Sequence, residues 1–159
     1  MKKIIVSVLL LIILVVAYFV LIKQKPPIET GRIVPSDNGK GIAIEIGNIG
    51  LSDIHLKKIL INNEEVPKGT KVRVGSGFQE YDSSEVFNFE KQNTKVQSLV
   101  LKPNTSPKNL IKKQNQGTAS TKDKVYELSI LHSKKINRIT IKYRYLGIPF
   151  ERVIRLAMY

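Results

Sequence analysis

Apolar and polar positions follow two different rules along this chain. From Ile4 to Ile22 the sequence IIVSVLLLIILVVAYFVLI holds nineteen residues without a charge, and only Ser7 and Tyr18 carry a polar group. As a helix that run is about 28 Å long, close to the thickness of a bilayer's hydrocarbon core. After Lys23 the rule changes to short stretches that alternate at period two, separated by Gly, Pro, Asn and Ser. Alternation of that kind is the signature of half-buried β-strands.

The strands follow in order. Gly41 to Gly47 puts Ile42, Ile44 and Ile46 on one face, with Ala43 and Glu45 on the other. Ser36-Asp37-Asn38-Gly39 before it is a turn signal. Ile54 to Asn62 slips in phase: Ile54 and Leu56 point one way, Ile59 and Ile61 the other, with Lys57-Lys58 between. A β-bulge at the lysine pair accounts for the slip. Lys71 to Val74 and Val96 to Leu101 are further strands, and Val86, Phe87 and Phe89 a weaker one. Val125 to His132 faces one way with Tyr126, Leu128 and Ile130. Ile136 to Tyr145 alternates most clearly, with Ile139, Ile141, Tyr143 and Tyr145 against Arg138, Thr140, Lys142 and Arg144. Leu146-Gly147 turns the chain back into Phe150 to Leu156, where Arg152 falls on the apolar side; a bulge or strand end is expected to relieve it.

Eight or nine strands and no helix after the first segment predict an antiparallel, immunoglobulin-like β-sandwich, with a small β-barrel as the alternative. The expected organisation is a signal-anchor helix over 1–22, a Pro-containing linker over 23–31, and one β-sandwich domain over 32–159. About 130 residues suffice for one core and not for two. The stretch from Asn104 to Lys124, NTSPKNLIKKQNQGTASTKDK, is polar and turn-rich and is expected to be a loop.

A signal peptide has a shorter apolar core and a small-residue cleavage site. The only such site here follows Ala17, inside the apolar run, so the segment is expected to stay as an anchor. Lys2 and Lys3 before it and Lys23 and Lys25 after it balance each other. Because large C-terminal domains translocate largely regardless of charge, the N-terminus is expected in the cytoplasm and the domain outside the cell membrane of a bacterium. No ionisable group and no Gly pairing face lies within the segment, which leaves tethering as its role.

Charge changes the picture next. Lys and Arg number 26 against 13 Asp and Glu, a net charge of +13. A surface of this sign suits anionic envelope polymers, lipid headgroups or an acidic protein. Nucleic acid becomes a partner only if the domain is cytoplasmic, since the tyrosines lie on the apolar face and not out for stacking. There is no cysteine, hence no disulfide and no thiolate chemistry.

Candidate chemistry is sparse. His55 and His132 lack metal-ligand spacing, and no cofactor or metal site is expected. Gly75-Ser76-Gly77 offers a serine for a Ser–Lys hydrolase, but Gly-Ser-Gly is also plain turn composition. Glu80, Asp82, Glu85 and Glu90 form an acidic stretch without calcium-loop spacing. Two basic groups are sharper. Lys102, Lys108, Lys112 and Lys113 lie in a stretch with no acid, around Leu110 and Ile111. Arg138, Lys142, Arg144 and Arg155 share the solvent side of the last hairpin. These eight residues are the expected anionic-partner site of a membrane-tethered binding or assembly module without catalysis. A structural accessory subunit of a membrane complex is the alternative.

Overall fold

The computed structural model describes residues 2–24, 26–76, 96 and 99–156, with side chains of the first helix given for 4–17. In chain order its elements are α1 (Lys2–Gln24), β1 (Ile28–Pro35), β2 (Gly41–Asn48), β3 (Ile54–Ile61), β4 (Gly69–Ser76), β5 (Val100–Leu101), α2 (Pro107–Asn115), β6 (Lys124–Leu131), β7 (Arg138–Tyr145) and β8 (Ile148–Arg155). The weak strand expected at 86–89 lies outside the described residues.

The strands form two four-stranded antiparallel sheets, in the orders β1-β2-β6-β4 and β5-β3-β7-β8. Among the described residues they remain two sheets and do not close into a barrel. The inward residues of both make one core, built from Ile42, Ile44 and Ile46, from Tyr126, Leu128 and Ile130, and from Ile54, Leu56, Ile139 and Ile141. Those are the apolar faces that the alternation predicts. The bulge in β3 is present: pairing with β7 shifts between Leu56 and Lys58.

Four expectations need correction. The first is the linker: pairing begins at Ile28, which is buried and sits opposite Asn48, so residues 28–31 are strand. The second is β2, buried along all eight residues and not on one face only. The third is the loop over 104–124, which contains α2. Ser106 caps that helix by accepting the Asn109 N–H, Pro107 opens it, and Leu110 is buried. Lys112 and Lys113 occupy its last turn, where cations favour the helix dipole. The helix and the segment before it lie over β1 and β2, which is why the outer face of β2 is covered. The fourth is Arg152, which no bulge relieves: β7 and β8 pair without a break, with Ile141 opposite Arg152. Arg152 stays half-buried on the core side of an edge strand, next to Tyr143. Burial pushes the Tyr143 hydroxyl up to about 12, against a smaller pull from the Arg152 charge.

The helix α1 packs differently from everything else. Its large apolar side chains from Ile4 to Val16 are between 47% and 68% exposed, on every side of the helix. Among the described residues no helix is both long and apolar enough to cross a membrane, the described side chains of α1 ending at Ala17.

Candidate functional site

Strand alternation and register decide which cations share a surface. On the outer face of the β3-β7-β8 sheet, the register sets His55 against Arg144, Lys58 against Lys142, and Arg138 against Arg155, with a row of buried Leu60 and Thr140 and half-buried Val153 between the last two. Arg138, Lys142, Arg144 and Arg155 therefore do share one face, as the alternation predicts. The bulge adds both Lys57 and Lys58, which are exposed. The sequence pattern passes over these two, although the phase slip that marks the bulge also marks them. Two of the rows place like charges directly opposite each other, an arrangement that destabilises a sheet. Local relief comes from Glu64, 3.7 Å from the Lys142 ammonium, and Glu151, 3.9 Å from it. From Arg144 to Arg138 the cations span about 20 Å of strand, interrupted at the Thr140 row.

The second lysine group lies elsewhere, Lys102 just after β5 and the other three on α2 over β1 and β2, and most of it is already paired. Lys102 bonds Asp53 at 2.7 Å, Lys108 lies 3.7 Å from Glu29, and Lys113 bonds Asp123. Lys112 has no carboxylate partner among the described residues. Glu29 also accepts the Ser106 hydroxyl, so it ties the start of α2 to β1. The structure thus brings Arg138, Lys142, Arg144 and Arg155 to one sheet face, with Lys142 near two carboxylates, puts Lys102, Lys108 and Lys113 in ion pairs, and leaves Lys112 in neither set. The acids that pair these lysines are far away in sequence or beyond the acid-free stretch.

Asp53 holds the Lys102 ammonium above its ordinary range. The Lys113 hydrogen bond, followed by the Ser120 N–H and hydroxyl, holds the Asp123 carboxyl below its usual 3.8. A carboxyl depressed by folding stabilises the fold fully above its unfolded value, and that contribution fades as pH falls through the folded one. Amide protection in the last turn of α2 is therefore expected to drop as pH falls below 3.8. Hydrogen exchange measured against pH checks this, and Asp123→Asn should remove the dependence.

The remaining candidates fall in less active settings. Ser76 closes β4 opposite Lys124, whose side chain is exposed. Gly75 and Ser76 are strand residues and not a turn. His132 bonds Glu65 at 3.1 Å, and His55 is exposed on the basic face. Glu80, Asp82, Glu85 and Glu90 lie outside the described residues. Among the described residues no group of His, Cys, Asp and Glu is arranged to hold a metal. A groove of about 540 Å³ opens where β1 and β8 end, lined by Ile33, Ile42, Ile136, Leu156, Lys135 and Arg155.

No family model and no curated protein matches the chain. Among solved structures it is similar to the GAE domain of GGA2p from Saccharomyces cerevisiae, at 13% identity and a TM-score of 0.32. That match covers 85% of this chain and 92% of the other. A likeness so slight carries neither a fold assignment nor a partner.

Proposed function

We propose that the chain is a membrane-tethered, non-catalytic binding module whose immunoglobulin-like sandwich holds an anionic polymer along the outer face of β3, β7 and β8. The observation that carries this reading is the pair of cross-strand like-charge rows, Lys58 with Lys142 and Arg138 with Arg155. Glu64 and Glu151 offset only the Lys142 row, and an anionic ligand laid across both rows converts the remaining repulsion into attraction.

The tether rests on α1. A helix apolar all round belongs in a protein core or in lipid, and α1 has no core around it. Its backbone runs 23 residues, about 34 Å, and the uncharged stretch from Ile4 to Ile22 fills most of it. The immunoglobulin-like label rests on connectivity. The order β1-β2-β6-β4 facing β3-β7-β8 corresponds to strands A-B-E-D facing C-F-G, with β5 added beside β3.

Full-length protein in nanodiscs of zwitterionic lipid provides the test, with poly(glycerol phosphate) as probe. Binding at low salt is expected, with affinity falling steeply as ionic strength rises. The variant Lys142→Gln/Arg144→Gln/Arg155→Gln should lose at least tenfold. Equal loss on replacing Lys108 and Lys112 would mean net charge alone is read, and no binding at low salt would end the proposal.

A further inference from the structure

One end of the sandwich carries an apolar tip. We propose that this pole, next to α1, docks on the surface of an anionic phospholipid bilayer, seating Ile49, Leu51 and Leu146 at the headgroup–acyl boundary. The inference rests on the reading of α1 as the anchor.

Chain length places the pole. Only Lys25, Pro26 and Pro27 separate Gln24 at the end of α1 from Ile28 at the start of β1. Four steps of extended chain reach at most about 14 Å. The end of the sandwich where β1 starts is therefore held close to the end of the helix. Pairing brings the same end together from β2, which ends at Asn48, β3, which starts at Ile54, and the turn between β7 and β8.

Leu51 is 96% exposed, Ile49 53% and Leu146 46%, though each belongs to a well-held segment. The Ile49 N–H donates to the Pro27 carbonyl at 2.8 Å, and the Gly50 N–H to Asn48 Oδ1 at 2.8 Å. The Leu51 N–H donates to the Tyr145 hydroxyl at 3.0 Å. A side chain at Gly50 would meet that hydroxyl at 2.6 Å and Pro27 at 2.9 Å, so the loop is pressed flat against the domain while Leu51 points away. Leu146 is more telling. It has φ 50 and Gly147 φ 77, the positive values of a two-residue hairpin turn that favours Asn-Gly. A leucine there is a poor turn residue left in solvent. Backbone strain combined with exposed apolar surface points to a ligand at that position.

The rim is basic. Lys102 has a side chain 66% exposed even while it pairs with Asp53, and Arg144 is exposed beside the Leu146 turn. An apolar tip within a cationic rim suits an anionic lipid surface, where the apolar groups enter the interface and the cations meet headgroups. A protein partner would need to fit between this pole and the membrane, within the reach of the short tether.

The chain has no tryptophan, so one introduced residue reports alone. Full-length Leu51→Trp, Leu14→Trp and Val66→Trp would be reconstituted in vesicles of phosphatidylglycerol and phosphatidylcholine carrying bromine near the headgroup or deep in the chains. Leu14 lies in α1, and exposed Val66 follows Glu65 at the opposite pole. Leu14→Trp is expected to be quenched by bromine in the chains. Leu51→Trp should be quenched most by the shallow bromine and emit to the blue of Val66→Trp. Adding Leu146→Asn should at least halve the Leu51→Trp quenching while leaving the unfolding temperature equal or higher. If Leu14→Trp is quenched and Leu51→Trp is not, docking is wrong and the anchor stands. If neither is quenched, both fall. Equal quenching at Leu51→Trp and Val66→Trp would mean unspecific adsorption and would also overturn docking at this pole.

Discussion

Arg73→Met is expected to lower the unfolding free energy of the detergent-solubilised full chain by about 3 kcal/mol, the cost of leaving a buried carboxylate without its cation. Arg73 on β4 reaches across to β6, where its Nη2 lies 3.0 Å and its Nε 3.2 Å from Glu127 Oε1. Glu127 is only 3% exposed, and its other named contact is the Ser129 hydroxyl at 3.1 Å. Directly opposite on β2 stands Glu45, itself buried. Removing the guanidinium leaves two facing carboxylates on one covered sheet surface. Adding Glu127→Leu to Arg73→Met removes the stranded charge and should recover more than half of the loss, because a packed apolar pair is often as stable as a buried ion pair. Chemical denaturation of the two variants measures both numbers. Failure of the second substitution to recover stability would mean that the loss comes from Arg73 packing and not from the charge.

Much of the two-sheet arrangement is legible in single residues. The isoleucines of β2 and the alternating β7 point inward as their period requires, and the phase slip at Lys57-Lys58 is the bulge itself. What stays hidden depends on contacts far apart in sequence. Lys102 and Asp53 are 49 residues apart, and Lys108 and Glu29 are 79 apart, so a stretch without acids reads as an open positive field when it is largely paired. Periodicity within one strand cannot report on such pairs. Asn48 is another case. It looks like a strand breaker, yet it is fully buried and its amide donates to the carbonyls of Ser52 and Leu101, which fixes the tip loop against β5.

The missed helix has a different cause. A nine-residue helix with four polar neighbours after Leu110-Ile111 gives a weak period, and three lysines make it look like solvated loop. Its signal was at the start: Ser106 before Pro107 is a capping residue followed by the proline that suits the first helical position. The basic face was legible for the last hairpin but incomplete, because Lys58 joins it only through the register of β3 with β7.

Gly47→Val tests whether the packing of that helix segment is as tight as the burial of β2 implies. Gly47 lies on the outer face of β2, opposite Glu29 on β1. A Cβ there would overlap the Thr105 carbonyl oxygen and meet Pro107 Cδ at 2.7 Å. The obstacle is backbone, fixed by the Thr105 N–H donating to the Asn48 carbonyl and by Thr105 Oγ1 accepting the Asn48 N–H. No rotamer change can relieve it, so the segment must lift from the sheet. Overpacking of this kind costs about 3 kcal/mol, at the upper end of the usual range. The loss should be local in origin: amides from Leu110 to Gln116 exchange faster before those of β3 and β7 do. A variant that loses protection evenly over both sheets would show that α2 unfolds only with the whole sandwich. In that case the ion pairs of Lys108 and Lys113 belong to the global fold and not to a separable cover on β1 and β2.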